Sequence, residues 1–182
     1  MSSYGATELA KAFRTVRGNT IQIARDMPED KYDFRPVAGA RSVNELFRHI
    51  IYSPLFQEDV HRTKRATTFK GYDFGASLAI VHAAADKPKS KAEILDALER
   101  EGERVATWLE SLTPAYFAET VTDPNGANRR TRLELLMAIK EHEMHHRGQL
   151  MLIERMVGVV PHLTREREER NRARAAAASP AR

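Results

Sequence analysis

Residues 141–150 read EHEMHHRGQL, and this stretch decides the fold. It contains the pattern His-Glu-x-x-His, with which zinc peptidases bind their metal, and overlaps a second pattern, His-x-x-x-His-Arg-Gly-Gln. In both patterns His142 and His146 stand four residues apart, so on an α-helix their side chains lie one above the other on the same face. The stretch therefore predicts a helix that carries two candidate ligands for one metal ion.

The apolar residues on either side of the two histidines recur with the period of a core-facing helix. His142 and His146 fill the gap in this stripe, so both imidazoles should point inward. The helix opens at Thr131, and Gly158 is its predicted end. The stripe consists of Leu135, Ile139, Leu150, Ile153 and Val157.

Three further segments show the same helical period. The first covers residues 6–27 and ends at Pro28, the second opens at Ser42 and is kinked at Pro54, and the third covers residues 90–112. The last three of the four helices begin with a capping box, in which Ser or Thr is followed three residues later by Glu. Four amphipathic helices predict an all-α fold, a four-helix bundle.

Two connections between the predicted helices are long. Residues 61–89 have no clear period apart from a short helix expected near residues 76–85. Residues 116–130 alternate weakly around Asp123-Pro124-Asn125-Gly126, which predicts a small hairpin before the last helix.

The chain has 182 residues and a formal net charge of +4, which suits a single domain with its own core. We predict the bundle over residues 1–162 and a charged, mobile tail over residues 163–182. Much of the arginine excess lies in this tail beside acidic residues, so the charge does not predict nucleic-acid binding. The sequence shows no leader and no long apolar run, which predicts a cytoplasmic protein without membrane contact.

The chain contains no cysteine, so histidines and carboxylates must hold any metal, and thiol chemistry needs a thiol from outside. His49, at the edge of the apolar stripe of the second helix, is the best candidate for a third ligand. Three histidines with open positions predict a catalytic rather than a closed structural site. The alternative is that the histidines are hydrogen-bonded core residues. The remaining histidines are expected at the rim, in loops or on the surface: His61, His82, His145 and His162.

The peptidase interpretation uses the same stretch differently. His142 and His146 would bind zinc, Glu143 would act as the general base, and Glu166 would be the third ligand. Glu166, however, lies in a run of mixed charge with no apolar residues to bury it, and no predicted sheet precedes the stretch to hold a peptide. The sequence therefore favours the bundle site.

Two segments resemble the DinB/YfiT-like superfamily of metal-dependent enzymes: RPVAGARSVNELFRHI at residues 35–50 and IKEHEMHHRGQLMLIERMVGVVP at residues 139–161. The resemblance implies an up-down-down-up four-helix bundle in which His49, His142 and His146 hold one divalent metal ion. Zinc or nickel is the implied metal, with iron or manganese as alternatives. Proteins of this superfamily are often homodimers, and some are S-transferases or isomerases that use low-molecular-weight thiols.

The remaining residues of the stretch receive supporting roles. Arg147 and Gln149 are expected to brace helix ends or the metal ligands, with a surface salt bridge as the alternative for Arg147. Gly148 should let a neighbouring backbone approach the helix. Glu143 should turn away from the metal face, either solvated or supporting a ligand, rather than act as a base.

The main functional hypothesis is a metal-dependent enzyme, resembling a thiol S-transferase or a hydrolase. Its ion would activate a thiolate or water for attack on a small electrophilic substrate. The alternative is a non-catalytic metal-binding scaffold of the stress response.

Overall fold

The structure, a computed structural model, describes residues 4–87 and 89–178. A 3₁₀ turn at Glu29–Lys31 follows the first helix, and a π-helical segment at Asp59–Thr63 follows the third. The described helices are α1 (Ala6–Asp26), α2 (Val43–Tyr52), α3 (Pro54–Glu58), α4 (Phe74–Ala85), α5 (Lys91–Glu110), α6 (Pro114–Ala118), α7 (Arg132–Met156) and α8 (His162–Ala178). The strands are β1 (Thr120–Thr122) and β2 (Arg129–Thr131).

The bundle is formed by α1, α2, α5 and α7. Helices α1 and α2 each pack against α5 and α7, so they occupy diagonal corners. The prediction of an all-α, up-down-down-up four-helix bundle is confirmed, and so is the small hairpin, in which β1 and β2 pair antiparallel before α7.

The helices begin and end where local chemistry places their boundaries. All three predicted capping boxes are present, with a Glu backbone N–H donating to the hydroxyl of the capping residue. Gly158 follows α7 with a φ of +85°, a left-handed conformation that glycine adopts without strain. The donor and acceptor residues of the caps are Glu45 and Ser42, Glu93 and Ser90, and Glu134 and Thr131.

A polar layer separates two apolar clusters in the core. One cluster contains Phe47 and Leu150, and the other contains Phe13 and Leu136. Arg17 lies between them on α1 and is buried although it is charged. A charged group at this depth must be paired, so the middle of the bundle must contain a partner for Arg17.

The second predicted helix is divided at Pro54, where α2 gives way to α3 after Ser53. Proline has no N–H to donate, so the helical hydrogen bonds are interrupted there. The short helix expected near residues 76–85 is present as α4, which packs on α2 and α3. The buried Ser77 hydroxyl donates to Asp59 at 2.5 Å and fixes α4 against the π-helical segment.

The predictions for His61 and His162 are wrong, because both side chains are buried. Nδ1 of His61 lies 3.0 Å from Nη1 of Arg132, and Nε2 of His162 lies 3.2 Å from Oδ1 of Asn19. Both environments depend on partners at least 71 positions away in the sequence, which local patterns cannot reveal. His82 is exposed on α4 and His145 on α7, as predicted.

Most of the predicted tail is helical. Residues 163–178 belong to α8, residues 179–182 lie outside the described part of the chain, and the mobility of the tail stays a prediction. Arg165 at the start of α8 donates to Asp26 at the end of α1, with 2.6 Å between nitrogen and oxygen. None of the helices in the described residues is sufficiently long and apolar to cross a membrane.

Glu154 lies near this contact and is fully buried on α7. Neither of its carboxyl oxygens has a hydrogen-bond partner among the described residues. Burial, with a smaller contribution from the charge of Asp26, raises the pKa of Glu154 to about 7. The protonated carboxyl is therefore the form that this environment favours.

Candidate metal centre

Three histidines from two helices meet beside the polar layer. Nε2 of His142 lies 3.1 Å from Nε2 of His49 and 3.1 Å from Nε2 of His146. One ring nitrogen from each of the three lies within 4.8 Å of the other two. The packing of α2 against α7 thus brings together the three residues that the sequence analysis selected.

The spacing of these nitrogens fits a single metal ion. Two nitrogens bound at about 2.05 Å to a tetrahedral zinc ion lie about 3.3 Å apart, close to the spacing in the cluster. Among the described residues, no carboxylate joins the three histidines. A set of imidazole donors favours zinc, nickel or iron over manganese, which prefers oxygen ligands.

Gln149 sets the orientation and tautomer of one imidazole. Nδ1 of His146 lies 2.8 Å from Oε1 of Gln149, which can only accept, so Nδ1 carries the proton. The lone pair of Nε2 then faces His142 and is free to bind a metal. The amide nitrogen of Gln149 lies 3.3 Å from Nε2 of His145, which links an exposed histidine to the buried cluster.

The protein environment keeps the three histidines neutral. Burial lowers the pKa of His49 to about 3, that of His142 to about 4, and that of His146 below its usual range. The positive charge of Arg41 lowers each of these pKa values further. A neutral imidazole is the form that binds a metal, so the cluster need not lose protons at neutral pH.

Glu143 is not solvated, which corrects one of the two roles expected for it. It is buried on the face of α7 that meets α1, and both of its carboxylate oxygens accept from Nε of Arg17, at 2.9 and 3.1 Å. Nη2 of Arg17 donates to the same carboxylate at 2.9 Å. A carboxylate held in this way is not free to serve as a general base.

The peptidase interpretation therefore loses both of its carboxylates, the general base and the third zinc ligand. Glu143 is paired with Arg17, and Glu166 is exposed on α8, where it faces Arg170 at 3.7 Å. The carboxylate of Glu166 does not belong to the histidine cluster. The geometry supports a bundle site with three histidines.

The expectation for Gly148 is also wrong. The residue is exposed, and a Cβ at this position would meet no atom within 4 Å, so no neighbouring backbone approaches it. Arg147 is half-buried beside it, and its bracing role stays a prediction.

An apolar cleft of about 240 Å³ opens beside His49 and His142. Helix α4, which lies within the long connection of residues 61–89, closes one side of it. Apolar residues occur on all sides of α4, so the hydrophobic pattern of the sequence did not indicate which face of this helix would pack on α2. The cleft is lined mainly by Pro54, Phe56, Leu78, Val81, Ala138 and Ile139.

Arg17 also supports the site, although no role was predicted for it from the sequence. It stands one helical turn after Phe13, within the apolar stripe of α1, and a charge in such a stripe was an available signal. On the facing helix, a Cβ at Gly102 would lie 2.7 Å from Cγ of Arg17. The absence of a side chain at Gly102 therefore gives the arginine its space.

The fold and the cluster define a class of protein: a helical bundle in which three histidines from two helices surround one candidate metal position. Residues 12–150 match the sequence profile of the DinB superfamily. This match covers well over half of the chain, and the chain belongs to the DinB superfamily.

Individual relatives agree with this assignment. Protein YjoA of Bacillus subtilis (strain 168) is 24% identical over 155 residues, which cover 84% of this chain and 91% of YjoA. The crystal structure of YjoA, a DinB-like protein, aligns with a TM-score of 0.60 at 20% identity over 83% of this chain and 92% of that one.

Two further crystal structures share the fold. YfiT from Bacillus subtilis, described as a probable metal-dependent hydrolase with an unusual four-helix bundle topology, aligns with a TM-score of 0.62 at 17% identity, covering 87% of this chain and 91% of YfiT. A mycothiol-dependent maleylpyruvate isomerase aligns with a TM-score of 0.58 at 11% identity, covering 82% of this chain and 63% of the isomerase.

Proposed function

We propose that this protein is a divalent-metal-dependent enzyme in which His49, His142 and His146 hold the ion. It would act on a small electrophilic substrate by S-transfer or hydrolysis. The observation that carries the proposal is the convergence of three imidazoles, with Nε2 of His142 3.1 Å from Nε2 of each of the other two, beside an open cleft that His49 and His142 line. A structural metal site is normally closed by four protein ligands, whereas a catalytic site keeps a position for substrate or water.

Residues of the chain would orient a metal ligand, hold the helix that carries it and bind the substrate. Gln149 holds His146 in the tautomer that presents Nε2, and the Arg17–Glu143 pair fixes α7 against α1. The apolar cleft can bind the uncharged part of a substrate and exclude water from it. When bound, a divalent ion supplies Lewis acidity that lowers the pKa of a water or thiol nucleophile.

The chemistry of the chain leaves two sources for the nucleophile. It contains no cysteine, so a thiolate would have to come from a small thiol taken from solution. The fold shared with a mycothiol-dependent isomerase supports S-transfer, and the fold shared with YfiT supports hydrolysis. Both reactions use the same ion and the same cleft. A homodimer, expected from the resemblance, stays a prediction.

The first test is the metal content of protein purified without a metal-affinity tag. We expect about one equivalent of zinc, nickel or iron in the wild type and its loss in His49→Ala and in His142→Ala. His82→Ala is the matched control, because it removes an exposed histidine of α4 that is outside the cluster. Retention of the full equivalent in both cluster variants would refute the site.

The second test is turnover. The metal-loaded protein should be screened with low-molecular-weight thiols and electrophilic acceptors, and separately with ester and amide substrates. We expect turnover that disappears with a chelator and returns with the metal. A loaded protein that turns over nothing in either screen would instead be the non-catalytic metal-binding scaffold.

A further inference from the structure

The histidine cluster has a positively charged neighbour, Arg41, whose guanidinium forms no ion pair within the described residues. An imidazole binds a metal in its neutral form, and no carboxylate belongs to the group among the described residues. A divalent ion would therefore keep its full charge, and the guanidinium of Arg41 adds to it. Opposite charges attract strongly where water is partly excluded, so such a centre attracts an anion.

Arg41 precedes Ser42, the capping residue of α2, and lines two grooves, one of which contains His49 of the cluster. It lines a groove of about 330 Å³ together with His49, Val81 and His82. Two carboxylates line the same groove: Glu45, which is paired with Arg35, and Asp86. Arg41 also lines a second groove of about 610 Å³ that reaches Gln149.

The neighbouring arginines are engaged elsewhere, whereas Arg41 is exposed. Arg35 donates to Glu45 at 2.9 Å, and the same carboxylate accepts from the backbone N–H of Ser42 at 2.8 Å. Arg48 is buried and donates to Asn44 and to the carbonyl of Asp86. Within residues 4–87 and 89–178, the structure gives the Arg41 guanidinium no hydrogen bond and no ion pair. Its donors are available to a ligand.

We propose that Arg41 is the anion-recognition residue of this site, and that the substrate carries a carboxylate next to an apolar group. This inference rests on the proposed function and specifies its substrate class. His49 and Val81 line both the apolar cleft and the groove of Arg41. A ligand whose carboxylate meets Arg41 can therefore place its apolar part in the cleft, with the bonds between them at the histidines.

The apolar cleft sets the size of the uncharged part. An engineered apolar cavity of about 150 Å³ binds benzene, so the cleft here has room for a phenyl ring or a short alkyl chain. Guanidinium and carboxylate form paired, charge-assisted hydrogen bonds, which makes a carboxylate the matching head group. Hexanoate is a suitable probe, and hexanamide is its uncharged counterpart of the same shape.

The test measures binding rather than turnover. Hexanoate and hexanamide are titrated into metal-free and zinc-loaded protein, and the dissociation constants are obtained from amide chemical shifts in NMR spectra. The variants are Arg41→Ala and Arg129→Ala. The second variant removes the same charge from the hairpin, where Arg129 is exposed in β2. Zinc content is measured on the same samples.

We expect Arg41→Ala to weaken hexanoate binding about tenfold or more in the metal-free protein, because a charged hydrogen-bonded pair is lost. Binding of hexanamide should not change, and Arg129→Ala should behave as the wild type. Equal effects of the two variants, or equal binding of hexanoate and hexanamide, would overturn the proposal. So would hexanoate binding that requires zinc and is unchanged in Arg41→Ala, because the carboxylate would then be a metal ligand only.

The two proposals fail in different ways. A protein that takes up no zinc but binds hexanoate through Arg41 keeps the anion site and loses the metal-dependent function. A protein that takes up one zinc ion, yet shows no dependence on Arg41, keeps the metal site and loses the anion site.

Discussion

Arg17 and Glu143 form a buried ion pair in the centre of the bundle, and Glu143 is the direct sequence neighbour of His142. The pair is 126 positions apart in the chain and joins α1 to α7. Nη1 of Arg17 also donates to the carbonyl of Leu98 at 3.0 Å, so one arginine connects three of the four bundle helices. The helix that carries two metal-ligand candidates is held in place by this contact.

Replacing Glu143 by Ala should destabilise the protein by about 3–5 kcal/mol, because it leaves the arginine charge buried without a partner. Urea unfolding followed by circular dichroism measures this free energy. Glu141→Ala is the control, since Glu141 is exposed one position before His142. A Glu143→Ala protein as stable as Glu141→Ala would show that the pair contributes nothing to the fold.

Gly102→Ala tests the space that Arg17 occupies. The new methyl group would lie 2.7 Å from Cγ of Arg17, whose guanidinium is held by Glu143 and cannot easily move. Overpacking of this kind costs about 1–3 kcal/mol and exceeds the gain of about 1 kcal/mol in helix propensity. We expect a net loss of stability in thermal and urea unfolding.

Gly18→Ala is the matched control for this substitution. Gly18 is also within a bundle helix, but a Cβ there meets nothing within 4 Å. The same change should therefore stabilise the protein by about 0.5–1 kcal/mol. If both variants gained stability, Arg17 would have more freedom than its contacts indicate.

Gln149→Leu should weaken metal binding about 10–100-fold, because residues that orient a metal-binding histidine contribute on this scale. Affinity is measured by competition with a chromogenic chelator, and ¹⁵N NMR of the imidazoles reports the tautomer of His146. We expect the proton to be on Nδ1 in the wild type and shared between both nitrogens in the variant. An unchanged tautomer in Gln149→Leu would refute the role of the amide.

Glu154 should make stability depend on pH. Its pKa is about 7 in the folded state against an ordinary value of 4.5, so between these values the folded protein binds more protons than the unfolded chain. Stability therefore falls as pH rises through this window, by roughly 3 kcal/mol in total. Below pH 4.5 this penalty is absent, and above pH 7 it is complete.

Unfolding of the wild type and of Glu154→Gln between pH 4.5 and 8 measures this effect. The variant cannot ionise at this position, so its stability relative to the wild type should increase with pH. Glu166→Gln, at an exposed position on α8, should show no such trend. A difference between wild type and Glu154→Gln that is constant with pH would mean that the carboxyl ionises normally.

The parts of the fold that the sequence predicted are those with local causes. A capping box at Ser42 involves residues only three positions apart, and the pairing of His142 with His146 follows from one helical turn. His49 could be selected because the edge of its apolar stripe identifies the side of the helix that faces the bundle. These features require no knowledge of which helices become neighbours.

The features that escaped prediction depend on distant partners. Glu143 was expected to be solvated or to support a ligand. Its pairing with Arg17 could not be foreseen, because the two residues are 126 positions apart in the chain. His61 gave no signal of burial, since its contact with Arg132 arises only when the π-helical segment meets the start of α7. The groove that Arg41 lines escaped prediction for the same reason, because Val81 and His82 of α4 form part of its wall.

The histidine cluster also has a mechanical consequence. His49 and His142 are 93 positions apart, and an ion that they share ties the two ends of that segment together. In this chain without cysteine, such an ion would restrict the unfolded ensemble as a disulfide bridge does elsewhere, and longer closed loops gain more from this restriction. The melting temperature should therefore rise with the concentration of free metal, so that occupancy of the centre can be followed by heating alone.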